Sequence, residues 1–238
     1  MNYLRGIFFL GYFFAAGFYG SIIILILGKK RSAALDVFSR YSQYALNMAK
    51  INIKLDGAEH LPSNGFVAVH NETSWPDIIA LQATLYNNYV DHAAVASQYG
   101  MIPFMKAACK AAGILLVPRG NRAGVDKVLN ELVEYLKGGE RVVFGGEGRL
   151  SGIDGVMRFK QGSALLAIRS GKPLIPIAFH GGQLLMPLQS CALIPGTIRI
   201  RFGAPIVSEG LSDKDARMLV DQAQAAVSKL YKALSEEK

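Results

Sequence analysis

From residue 50 onward, short runs rich in β-branched residues alternate with longer stretches of helical period, which restricts the chain to a layered α/β architecture. Ile51, Ile53 and Leu55 alternate with polar residues and stop at Asp56-Gly57, the pattern of a strand and its turn. Further strands are expected at Phe66–Val69, around Val95, and over Gly113–Val117, Arg141–Phe144, Pro173–Phe179 and Thr197–Gly203. Helices are expected over Ser32–Ala49, Ile78–Leu85, about Pro103–Ala112, Val125–Lys137, Ser163–Arg169 and Leu211–Leu234, the last capped by Ser212. The first carries its apolar stripe at Leu35, Phe38, Tyr41 or Ser42, Ala45 and Met48. The order predicts a mixed, mostly parallel sheet flanked by helices, with active-site loops at the carboxyl ends of the strands.

Ahead of this domain, Gly6 to Gly28 is a run of 23 residues without a charge, close to the ~20 that cross a hydrocarbon core as a helix. Lys29, Lys30 and Arg31 follow, against Arg5 alone on the other side, so the bulk of the protein is expected on the cytoplasmic side of a membrane. Ala15-Ala16-Gly17 resembles a signal-peptide cleavage site, but apolar residues continue for ten more positions beyond it. The glycines in the run admit a bent insertion as well as a straight span. Residues 1–49 therefore read as a membrane-associated helical segment and 50–238 as the main domain, with no linker of low complexity between them.

Lys and Arg number 26 against 18 Asp and Glu, a net charge of +8 that suits a phosphate-bearing partner. The basic residues are dispersed and carry no aromatic–basic motif, which argues against nucleic acid. Cys109 and Cys191 stand far apart with no C-x-x-C pattern, so neither a disulfide framework nor a metal site is expected.

Three polar clusters follow apolar strands: "HNETSWPD" (70–77), "VPRGNR" (117–122) and "GGEGRLSGIDGVMRFKQG" (145–162). A histidine beside a carboxylate can take a proton from a hydroxyl, and arginines can hold a phosphate with a forked pair of donors. Acyl transfer onto a phosphate-bearing alcohol is the chemistry these residue types suggest together. Trp75 reads as a packing or interfacial residue, Pro176 as structural, and His60, His92 and His180 as ordinary loop or strand-end residues.

Four blocks in fixed order resemble the glycerolipid acyltransferase family. They are "HNETSWPD", "GILLVPRGNR", "FGGEGRLSG" and "PLIPIAF", with flanking similarity from about residue 50 to 210. The resemblance implies an acyltransferase that moves a fatty acyl group from acyl-CoA or acyl carrier protein to the hydroxyl of a 1-acyl-glycerol-3-phosphate, giving phosphatidic acid, with membrane lipid as a partner and no cofactor. It implies His70, Glu72 and Asp77 as the catalytic candidates, and Arg119, Gly146, Glu147, Gly148 and Arg149 as the substrate-binding ones. Another lyso-lipid acceptor (lysophosphatidylethanolamine or an ornithine lipid) and a silent lipid-binding scaffold are the alternatives. Two departures from the family pattern stand out. The family places its histidine five positions before the aspartate, and here that position is Glu72, with His70 two residues earlier. In an extended segment residues 70 and 72 share a face, so either can be directed at the pocket. The family's Phe-Pro before the block-three glutamate is Gly145-Gly146.

Overall fold

A computed structural model of the chain describes residues 1–27, 31–86, 88–101 and 103–237. Gly28, Lys29 and Lys30, the end of the apolar run and most of its basic flank, lie outside the described residues. Among the described residues seven strands are present: β1 (Ile51–Asp56), β2 (Phe66–His70), β3 (His92–Ala96), β4 (Ile114–Val117), β5 (Arg141–Gly145), β6 (Leu174–His180) and β7 (Gly196–Phe202). They form one sheet in the order β1-β7-β6-β2-β5-β3-β4. The five strands from β6 to β4 run parallel, and of the strand pairings only β6–β7 is antiparallel. This is the mixed, mostly parallel sheet the alternation requires.

Eight helices among the described residues flank it: α1 (Asn2–Leu27), α2 (Arg31–Ala49), α3 (Trp75–Thr84), α4 (Met105–Ala111), α5 (Arg122–Lys137), α6 (Gly162–Ser170), α7 (Gly182–Leu185) and α8 (Ala216–Glu236). Every residue of β2 and β6 is buried, because helices cover both faces of the sheet centre. Side chains alternate between two cores. Phe66 and Ala68 join the layer that holds Phe38, Leu46 and Ile79, whereas Val67 and Val69 join Leu129, Leu132, Leu219 and Val227 of α5 and α8.

Local chemistry moves several boundaries away from the sequence reading. Helix α5 starts at Arg122 instead of Val125 because the Asn121 side chain accepts from Gly124 N at 3.0 Å, closing the first turn. Helix α3 starts at Trp75 instead of Ile78, since Pro76 fits a first turn and Asp77 reaches back to Ser74 N. Ser212 caps a short 3-10 turn, Asp213–Asp215, that leads into α8, through its N and Oγ to Asp215 Oδ2 at 2.8 and 2.7 Å. Strand β3 extends over "HAAVA", whose alanines have low strand propensity but pair with both β4 and β5. On α2, Ala49 and not Met48 completes the buried stripe; Met48 is 49% exposed.

Helix α1 divides its apolar surface in two. Phe9, Phe13 and Ile24 are buried against the protein, and Gly17 and Gly20 allow close contact with Met105 and with Val37 and Tyr41. Its start is held by Leu193 N, which donates to Asn2 O at 3.1 Å. Tyr3, Leu4, Ile7, Phe8, Tyr19 and Ile26 face outward and exposed. Among the described residues this is the one helix long and apolar enough to cross a membrane, and about a third of its most apolar stretch is covered by protein.

The α5–α8 side of the sheet is closely packed around Leu132, which is fully buried, so truncating that side chain leaves a cavity. Leu132→Ala is expected to lower unfolding free energy by about 2–5 kcal/mol, read as a shifted denaturant midpoint at unchanged m-value.

Candidate active site

The parallel strands end at one edge of the sheet, where β2 and β5 stand in register with His70 opposite Gly145. Beyond His70 the chain leaves the sheet but stays pinned. Gly146 N donates to His70 O at 2.8 Å, Ser151 N to Glu72 O at 2.8 Å, and Gly152 N to Thr73 O at 2.9 Å, so the first and third polar loops form one unit. Asn71 prolongs the sheet by one rung through its side chain, donating from Nδ2 to Phe179 O and accepting at Oδ1 from Phe179 N, both at 2.9 Å.

The two catalytic candidates part at this point. The His70 ring lies inward against Phe179, centroids 5.4 Å apart, and is 4% exposed. Its Nδ1 lies 2.9 Å from Asn71 O; a carbonyl only accepts, so Nδ1 carries the proton and donates. Burial pushes the imidazole down to about 4, which keeps it neutral at pH 7. Its ring bonds to the Asn71 carbonyl and not to Asp77, whose Oδ2 is taken by Thr73 and Ser74. Glu72 instead folds over Gly145, where a Cβ would lie 2.6 Å from its carboxylate carbon. It is pushed up to about 7, first by burial and then by the charge of Asp77, while Arg119, the Gly148 N–H and Lys160 pull the other way.

Asp77 is fixed at the head of α3. Its Oδ2 accepts from Thr73 N at 3.1 Å, from Ser74 N at 3.3 Å, and from Thr73 Oγ1. Its Oδ1 is buried without a hydrogen-bond partner among the described residues and abuts Gly182, where any Cβ would collide with the carboxylate. Burial raises the Asp77 carboxyl, and the Thr73 and Ser74 donors offset part of that shift.

Glu147 lies on the turn after β5, 3% exposed, with Oε1 accepting from Met157 N at 3.0 Å. Burial pushes it up to about 7, with Glu72 adding to the effect. Gly146 has no room for a side chain, because a Cβ there would lie 2.7 Å from the Phe159 ring. Gly148 adopts φ +68°, a left-handed conformation that suits glycine. Arg119 crosses from the loop after β4 to this turn, Nη2 donating to Gly148 O at 3.2 Å, and Arg149 lies exposed on the same turn. Residues of all three polar loops thus come to one edge of the sheet.

A narrow apolar slot of about 70 Å³ lies between α1, α2, α3 and α4, lined by Phe13, Phe14, Trp75, Tyr86, Tyr99 and Met105 among others. Burial first and then the Glu72 charge raise the hydroxyl of Tyr99, which stands in the slot's wall. The Asn71 clamp, Gly182 under Asp77, and Tyr99 are features the sequence reading passed over.

A family model described as acyltransferase matches residues 52–180, more than half of the chain and all four blocks. The chain belongs to the acyltransferase family. It is 25% identical to human 1-acyl-sn-glycerol-3-phosphate acyltransferase alpha over 191 residues, 78% of this chain and 65% of that protein. It is 27% identical to the chloroplastic 1-acyl-sn-glycerol-3-phosphate acyltransferase LPAT1 of Arabidopsis thaliana over 240 residues, 94% of this chain and 64% of that one. The chain thus spans slightly less than two thirds of either relative. The crystal structure of the 1-acyl-sn-glycerophosphate (LPA) acyltransferase PlsC from Thermotoga maritima superposes with TM-score 0.77, covering 100% of this chain and 99% of that one at 22% identity, which establishes a common fold.

The Asn71 clamp closes the gap between β2 and β6 just before Glu72, so its loss is felt as stability. Asn71→Ala leaves Phe179 N–H and C=O without their side-chain partner, at a cost of about 1–3 kcal/mol for each orphaned group, measurable by chemical denaturation.

Proposed function

We propose that this protein transfers a fatty acyl group from acyl-CoA or acyl carrier protein to the free hydroxyl of a 1-acyl-glycerol-3-phosphate at the cytoplasmic face of a membrane, with Glu72 as the general base. The observation that carries the reading is the seat of Glu72: five residues before Asp77, over Gly145, at the open strand ends, with its carboxyl brought to about 7. A base works best when its pKa lies near the operating pH, and burial has carried a carboxylate into that range. His70, neutral and turned toward Phe179, offers no such group to the loops.

In the reaction the ionised Glu72 takes the hydroxyl proton as the acceptor oxygen attacks the thioester carbonyl carbon. The tetrahedral intermediate then breaks its C–S bond. The thiolate leaves, and protonated Glu72 returns the proton to sulfur, so that the base is regenerated and the products are an ester and a thiol. Asp77 keeps Glu72 basic through its charge, while the Thr73 and Ser74 donors hold Asp77 in place. Arg119 and Arg149, beside the turn in which Glu147 is buried, face the headgroup phosphate. The exposed apolar face of α1 and the Lys29-Lys30 pair of the sequence bring the domain to the bilayer that supplies the acceptor.

The test is steady-state transfer to lysophosphatidate by the wild type and by Glu72→Gln and His70→Gln. A carboxamide in place of the Glu72 carboxylate cannot accept the proton, so the turnover number of Glu72→Gln is expected to fall at least about 100-fold. For the wild type, kcat/KM should rise with pH through a limb near 7, since only ionised Glu72 is active, and His70→Gln should keep that limb. Full activity of Glu72→Gln removes the base. Lipid binding by a wild type inactive toward every lyso-acceptor favours a silent scaffold, and turnover of lysophosphatidylethanolamine but not lysophosphatidate changes the acceptor.

A further inference from the structure

Gly148 is approached from three sides. Its N–H donates to the Glu72 carboxylate, its carbonyl accepts from Arg119, and its Cα lies under the side chain of Lys160. A Cβ at Gly148 would lie 3.1 Å from Lys160 Nζ and 3.2 Å from its Cδ, so the ammonium rests directly on the turn. Its place is set by what surrounds it in the chain. Lys160 N donates to Gly146 O at 2.8 Å. Phe159, one residue earlier, is buried under Gly146, its N–H held by Gln224 Oε1 at 3.0 Å and its carbonyl by Arg217 Nη1 at 3.1 Å, both from α8. The residue remains exposed, and among the described residues Lys160 makes no ion pair within 4.0 Å. An anchored cation facing Glu72 across a turn, with no carboxylate bound to it, is placed to meet an anion that arrives.

We propose that Lys160 binds the acceptor's phosphate from the side opposite Arg119, as a further headgroup-binding residue of this site. The inference rests on the acyltransferase reading above and names a contact that reading does not contain. A phosphate monoester carries about −1.5 to −2 at pH 7, more than one guanidinium neutralises. Arginine supplies a directional fork and lysine a compact point charge, so one from each side of Gly148 suits a tetrahedral dianion. The geometry has an electrostatic reason as well. A phosphate brought next to Glu72 would disfavour its ionised, base-competent form, and an ammonium between the two offsets that repulsion. Lys160 already draws Glu72 downward, as the smallest of the influences upon it. The contact should therefore matter more for a monoester than for a phosphodiester headgroup, which carries a single negative charge.

The experiment uses the full chain in detergent, with Lys160→Met and Lys160→Arg. Calorimetric binding of a short-chain 1-acyl-glycerol-3-phosphate is measured beside steady-state transfer to lysophosphatidate and to lysophosphatidylethanolamine. Lys160→Met should weaken monoester binding and raise its KM about tenfold, the size expected for one lost charge-assisted contact, with a smaller change for the diester. Its kcat/KM limb should move to higher pH, and Lys160→Arg should restore most of the affinity. Unchanged monoester binding by Lys160→Met, or an equal loss for both headgroups, overturns the proposal. The binding arm decides the matter even where no acceptor is turned over. The inference also fails alone, leaving the acyltransferase reading intact, if Lys160→Met matches the wild type while Glu72→Gln is dead.

Discussion

A carboxylate can occupy the mouth of the sheet at position 72 only because position 145 has no side chain. The Glu72 carboxylate lies where any Cβ on residue 145 would stand, 2.6 Å from its carboxylate carbon, so Glu72 and Gly145 form a single packing solution. The two departures from the family pattern, glutamate for histidine and Gly-Gly for Phe-Pro, are thus linked through space. Gly146 serves the same end differently, letting the Phe159 ring slide beneath the turn and fix the segment that follows. Even a phenylalanine with freely chosen rotamer at 145 would place its Cβ inside the Glu72 carboxylate.

The same constraint explains why the imidazole two residues earlier points elsewhere. His70 is the last residue of β2, and its side-chain direction is dictated by the pleat it shares with Phe66 and Ala68, into the layer that contains Phe179. The period-two argument holds only while the chain stays extended. Once Asn71 closes on Phe179 and the loop turns toward Ser151 and Gly152, residue 72 follows the loop and not the pleat. Three carboxylates, Glu72, Asp77 and Glu147, then share a site in which burial opposes ionisation of each. Donors are distributed so that Asp77, with three, stabilises its charge most, and Glu72 is left with a pKa close to neutrality.

Periodicity carried much of the architecture. The alternating residues 51–55 and the apolar runs at 66–69 and 173–179 became strands, and the amphipathic 125–137 became most of α5. What was illegible depended on contacts between distant segments. Strand β3, mostly alanine, exists through its neighbours; α7 is four residues beginning at a glycine; and the start of α3 depends on Asp77 bonding backward to Thr73 and Ser74. At the site, spacing placed Glu72 and Asp77 in one block, but nothing in a linear pattern could show that residue 145 is vacated for residue 72. Lys160, ten or more residues beyond the recognised block-three glutamate, is brought to Gly148 only by the excursion of the loop through Ile153 and back under Phe159.

The apolar helix at the N-terminus is joined to this chemistry by aromatic contact. Phe14 of α1 meets Trp75 edge to face, ring centroids 5.4 Å apart, and Trp75 in turn approaches Tyr99 at 6.3 Å. Trp75 is the first residue of α3, the helix whose third position is Asp77. One face of α1 is thereby committed to the protein and walls the apolar slot, while the other remains apolar and exposed. A helix that merely tethered the domain would need no such division, since in lipid either face is equally well solvated. The buried stripe of Phe9, Phe13 and Ile24, with glycines at 17 and 20 admitting the side chains of α2 and α4, holds α1 in a fixed orientation against the site.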